Sequence, residues 1–125
     1  MLDVEVIGDA LSEEEVRRAA ILAAGTAGID DGHLAVAFVD AGEIQALNER
    51  YRGKPEPTDV LSFPIDEADP APGPRELGDV VICPEHTTDL LEAVVHGVLH
   101  LTGMDHEHDD GEMLVVQAEL LTWIR

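Results

Sequence analysis

Cysteine occurs once in the 125-residue chain, at position 83, so no disulfide can form within it. A reducing, cytosolic compartment is the plain expectation. Aromatic residues are nearly as scarce, with two Phe, one Tyr and one Trp. The core must therefore come from Val, Leu, Ile and Ala. No stretch approaches the ~18 consecutive apolar residues of a membrane-spanning helix. The alternating, acidic start Met1-Leu2-Asp3-Val4-Glu5 does not read as a signal peptide. Positive charge is the last scarcity. Seven basic residues face 27 acidic ones, for a net charge of −20, and Lys54 is the sole lysine. That excludes nucleic-acid binding through a broad basic face. It leaves room for a local basic spot, because Arg50, Arg52 and Lys54 fall within five positions.

The length fits one domain over residues 1–125. Leu2, Val4 and Val6 alternate with Asp3 and Glu5, which predicts a half-buried strand at 2–7. Ser12 and Glu15 form a capping box ahead of a helix at 12–24 that Gly25 and Gly28 end. Residues 34–39 are apolar throughout and predict a central strand. Asp40 and Gly42 open a second helix with Ile44, Leu47 and Tyr51 on one face. Gly53, Pro55 and Pro57 make 52–57 a turn. A short strand at 59–63 stops at Pro64. Residues 66–76, rich in Asp, Pro, Ala and Gly, read as a loop. A fourth strand, 78–83, stops at Pro84. Thr88 or Asp89 caps a helix that runs to about Thr102, where Gly103 ends it. A last helix, 110–124, carries Met113, Leu114, Val116, Leu120 and Leu121 as its apolar side. The order β-α-β-α-β-β-α-α predicts an α+β fold: a mixed four-stranded sheet with surrounding helices.

The chemistry concentrates between His96 and His106. His96 and His100 are four apart on a predicted helix, so they point to the same side. Gly103 then lets the chain turn back and bring His106 within reach. Three neutral imidazoles with an open fourth position describe a catalytic zinc site at the end of a helix, a zincin-like arrangement, and not a closed structural site. Zinc is therefore the expected cofactor. The metzincin peptidases share this spacing, in the motif H-E-x-x-H-x-x-G-x-x-H. Gly97 stands here where their general-base glutamate would be, which argues against peptide hydrolysis and for another substrate class.

These residues resemble the bacterial YbeY family of zinc-dependent single-strand endoribonucleases. Residues 47–54 and 57–64 look like that family's Y-R-G-K-x-x-P-T-D-V-L-S-F-P stretch. Residues 77–83 look like its L-G-D-[IV]-x-I strand, and 96–106 like its H-G-x-L-H-L-x-G-Y-D-H motif, with Met104 in the place of tyrosine. The segment between Cys83 and His96 is about three helical turns shorter than the family's usual one. The resemblance implies a mixed four-stranded sheet, zinc held by His96, His100 and His106, and catalysis by His96 with an essential arginine at Arg52. It also implies cleavage of precursor small-subunit rRNA in 16S rRNA 3′-end maturation and ribosome quality control, in the cytoplasm, with the ribosome or small-subunit proteins as partners. A guanidinium fork at Arg52 suits a phosphate, although a surface ion pair is the commoner role for an arginine. Asp105 reads equally as a partner of a ligand histidine or as a turn cap, and His108 is the alternative third ligand. His33 and His86 read as surface residues, and Cys83 as a buried small hydrophobe. Two other functions fit the same residues: a zinc-containing maturation scaffold without nuclease activity, and a zinc hydrolase of another phosphoester or amide.

Overall fold

The computed structural model describes residues 2–65, 76–103 and 111–124. Its elements are β1 (Leu2–Ile7), α1 (Glu13–Gly25), β2 (Gly32–Phe38), α2 (Ala41–Arg52), β3 (Val60–Pro64), β4 (Glu76–Ile82), α3 (Leu90–Leu101) and α4 (Glu112–Ile124), with one 3₁₀ turn, Pro84–His86, between β4 and α3. The fold is the expected α+β arrangement with a mixed four-stranded sheet. The 3₁₀ turn has no counterpart among the sequence-based expectations. It is a short link between a strand stopped by Pro84 and a helix capped at Asp89.

Strand order is β1-β2-β4-β3. β1 runs parallel to β2, β2 parallel to β4, and β3 antiparallel to β4. The apolar strand β2 is central, as its composition predicts, while β3 forms an edge. Its start is held by Asp59, whose carboxylate accepts from the Val60 N–H at 2.8 Å and from the Thr58 hydroxyl at 3.2 Å. The Thr-Asp pair of the P-T-D-V stretch thus has a structural task.

Alternation along the strands divides the core between two faces. Leu34, Val36, Val80 and Ile82 point to one face and pack with residues of α1, α3 and α4. Leu61, Val81 and Cys83 point to the other, with Ile44 of α2 and the partly buried Leu47 and Phe63. The side chains that fill both are mainly aliphatic, as the scarcity of aromatics requires. Three of the helix starts carry the caps expected of them. Ser12, Asp40 and Asp89 accept from the backbone N–H of Glu15, Glu43 and Glu92, each satisfying a donor that the first turn leaves over. On α4 one expectation needs correction. Leu114 is 49% exposed, and the buried residues of this helix are Met113, Gln117 and Leu120. Their spacing of four and three makes one stripe, which Leu114 lies off.

Candidate metal centre

Helix α3 is apolar on most of its circumference because it is enclosed from several sides. Ala93, Val94, Val95, Gly97, Val98, Leu99 and Leu101 are all buried, against the sheet on one side and α1 and α4 on the others. The remaining stripe carries His96 and His100, both half-buried. Their rings meet edge to face, with centroids 4.7 Å apart and planes at 77°. Their Nε2 atoms lie 3.1 Å apart, so the two rings bring one nitrogen each to the same spot on the helix face. Two ligand nitrogens on one tetrahedral zinc stand roughly 3.3–3.4 Å apart, given Zn–N bonds of about 2.0–2.1 Å. The pair is therefore within a few tenths of an ångström of what that ion needs. Its donor chemistry, two imidazoles and no thiolate, also suits zinc. The Nδ1 of His96 is engaged on its far side by the Gln117 carbonyl oxygen, at 2.8 Å.

Gly97 lies between the two histidines, and its lack of a side chain has a steric cause. A Cβ at this position would stand 2.4 Å from Val80 Cγ1, 3.1 Å from Val80 Cγ2 and 3.3 Å from Ser62 Oγ. The helix approaches β4 too closely for any side chain. Ser62 on β3 adds a tie by donating its hydroxyl to the Gly97 carbonyl at 3.0 Å. A glutamate here, as in the peptidase motif, would have to displace the sheet.

The third expected ligand, His106, lies outside the described residues, as do Asp105 and His108. Gly103 closes the helix with φ +100° and donates to the His100 carbonyl at 3.0 Å. Helix α4 packs on α3.

Arg52 ends α2, exposed, with Gly53 behind it in the left-handed conformation at φ +70°. Arg50 and Lys54 are exposed nearby, and cations at this end of a helix suit its dipole. The turn is held from inside by Asn48, a buried residue that donates its amide to the Glu56 carbonyl at 2.9 Å. Tyr51 is 57% exposed. It stands edge to face on Phe63 at 5.1 Å, and the Arg50 guanidinium sits 5.3 Å from its centroid. Helix α2 covers the sheet face opposite α3. The structure brings His96 and His100 together, and among the described contacts Arg52 does not join them.

His33 pairs with Glu76 across β2 and β4 at 2.8 Å. That hydrogen bond raises the imidazole above its ordinary value, with the charges of Glu76, Asp3 and Glu5 adding and burial opposing. His86 is exposed and Cys83 fully buried, both as expected. Sequence reasoning missed Gln117, Asn48 and Ser62 as residues that position others. For Gln117 a signal existed: it is a polar residue four after Met113 and three before Leu120, in the middle of an apolar stripe.

An α+β domain in which successive turns of one helix bring two imidazoles together is built like a metal-dependent hydrolase. Comparison with known proteins narrows the class. The model of the family "Endoribonuclease YbeY" matches residues 5–124. The Endoribonuclease YbeY of Acidothermus cellulolyticus is 45% identical over 112 aligned positions, which cover 71% of this chain and 68% of that protein. The one from Macrococcus caseolyticus is 38% identical over 145 positions, covering 97% and 94%. Those positions outnumber the residues of this chain, so that relative carries segments absent here. The solution structure of TM1509 from Thermotoga maritima superposes with a TM-score of 0.58 at 28% identity, over 97% of this chain and 88% of the other. The chain belongs to the YbeY endoribonuclease family.

Proposed function

We propose that this chain is a zinc-dependent endoribonuclease that cuts single-stranded RNA, with precursor small-subunit rRNA as its substrate. Its place is then 16S rRNA 3′-end maturation and ribosome quality control in the cytoplasm, in contact with the ribosome or small-subunit proteins. The whole chain, 1–125, acts as one hydrolase domain. The observation that carries this reading is the meeting of the His96 and His100 Nε2 atoms, 3.1 Å apart, in a chain of an endoribonuclease family. His106 completes the ligand set by its spacing in the sequence. Bound zinc supplies a Lewis acid for a phosphoryl oxygen and makes a coordinated water more acidic.

The protein's own residues supply the rest. RNA is repelled by a surface of net charge −20, so binding needs concentrated positive charge, and the exposed Arg50, Arg52 and Lys54 provide it. Arg52 can take a phosphate with two parallel N–H donors. Single strands expose base faces that duplexes hide, and these stack on aromatic rings. Tyr51, exposed beside Arg52 and braced by Phe63, offers such a ring. Family membership favours this nuclease over a scaffold without activity or a hydrolase of other esters and amides.

Cleavage of one labelled RNA, as a single strand and annealed to its complement, tests the reading. The single strand should be cut and the duplex spared. Equal cutting of both, or of neither, would overturn it. The 3′ ends of small-subunit rRNA in a deletion strain test the biological substrate, and ends of mature length would remove it.

A further inference from the structure

We infer that Gln117 is a positioning residue for the metal centre: its side-chain carbonyl holds His96 in the tautomer with its proton on Nδ1 and its lone pair on Nε2. The inference rests on the metal reading above and extends it to a residue on another helix. An amide oxygen can only accept a hydrogen bond, and Gln117 Oε1 lies 2.8 Å from His96 Nδ1. The ring proton must then sit on Nδ1. The lone pair is left on Nε2, the atom that faces His100. A neutral imidazole free in water prefers its proton on Nε2, the form that cannot bind a metal there. The contact therefore selects the minor tautomer and fixes the plane of the ring.

The amide is built into place rather than resting there by chance. Gln117 is 8% exposed, and its neighbours along the α4 stripe, Met113 and Leu120, are 0% and 8% exposed. Both belong to the main core with Val95, Leu99 and Leu101 of α3. Burying an amide in such a stripe is unfavourable unless it is hydrogen-bonded, and the His96 ring meets that need. The same contact links α4 to α3 at the histidine that begins the motif. Partners of this kind commonly change metal affinity about 10–100-fold when removed.

The test uses full-length protein and zinc itself. Zinc dissociation constants are measured by competition with a chromophoric chelator for wild type, Gln117→Met and Gln117→Glu. Nitrogen-15 shifts of the His96 ring are read in the metal-free proteins. Wild type should carry the ring proton on Nδ1. Gln117→Met keeps length and packing but loses the acceptor, so the proton should move to Nε2 and zinc should bind about 10–100-fold more weakly. Gln117→Glu restores an acceptor for the Nδ1 proton and should return the zinc affinity towards the wild-type value. If Gln117 served packing alone, Gln117→Met would bind zinc as tightly as wild type, and that result overturns the inference. So does a wild-type His96 protonated on Nε2. A wild type that takes up no zinc refutes the metal reading itself, and is thereby told apart from a failure of the Gln117 inference. Should Gln117→Met lose a folded spectrum, the wild-type tautomer and the Gln117→Glu affinity decide.

Discussion

Replacing Gly97 by alanine sets two opposed effects against each other, and the structure says which wins. In a helix interior alanine is favoured over glycine by about 1 kcal/mol. The added methyl, however, would stand 2.4 Å from Val80 Cγ1, far inside van der Waals contact. Val80 is fully buried on β4, so it has nowhere to go without moving the sheet. Overpacking of a tight core typically costs about 1–3 kcal/mol. With two short approaches to one rigid side chain, the upper half of that range is the better guide. The net expectation is a loss of about 1–2 kcal/mol. That corresponds to roughly 3–10 °C in Tm for a domain of this size. Urea unfolding of wild type, Gly97→Ala, Val80→Ala and the double variant measures it. Truncating Val80 alone leaves a cavity and should cost roughly 1–3 kcal/mol. In that background the new methyl has room, so Gly97→Ala should become neutral or stabilising. The coupling between the two sites is the signature. An alanine that stabilises the wild-type protein would refute the steric argument, as would one equally costly in both backgrounds. Gly97→Glu, which restores the peptidase motif, should misfold and cleave no casein.

Arg52→Ala should leave zinc content and Tm nearly unchanged, since the side chain is exposed, while single-strand cleavage falls about a hundredfold or more. Arg52→Lys should recover little of it, because lysine lacks the fork; a near-wild-type alanine variant would take Arg52 out of the reaction. Chelation should lower Tm, and His100→Ala should do the same, because zinc bound to the folded state alone stabilises it; an unmoved Tm in both cases would contradict this. The His33–Glu76 pair sets a pH dependence. Its imidazole is raised in the folded state, so its stabilisation is complete below the unfolded value of about 6.5 and is lost as pH rises through the folded value. Glu76→Gln should therefore cost about 0.2–1 kcal/mol near pH 5.5 and nothing near pH 9, and a cost that grows with pH would show the sign to be wrong.

The elements were legible in the sequence because their signals are local. Ser12, Asp40 and Asp89 cap the helices they precede, and the unbroken apolar run at 34–39 supplies all but the first two residues of the inner strand β2 and the residue after it. The His96–His100 pairing was legible for the same reason, since four residues are one helical turn. Contacts between distant segments were not. Nothing local to Gln117 says that its amide reaches His96 on a different helix, and its polarity hid it from a search for apolar stripes. The same logic misassigned Leu114, which is apolar but faces outward. Gly97 shows a third case. Its type could be read as a missing base, whereas the reason for it, the close approach of Val80, exists only once α3 lies on β4. Arg52 was singled out through motif resemblance. The fold puts it at the exposed end of α2, the helix whose Ile44 and Leu47 pack on the sheet face away from α3.

Whether zinc at His96 and His100 drives RNA cleavage is decided by one titration. Protein stripped of metal is reloaded with increasing zinc, and the rate on a labelled single-stranded RNA is followed alongside a His100→Ala control. The rate should be negligible at the start, rise in proportion to bound zinc and level off at one equivalent, with the control flat throughout. Full activity in the stripped protein, or in His100→Ala, would show that zinc at this site does not drive cleavage.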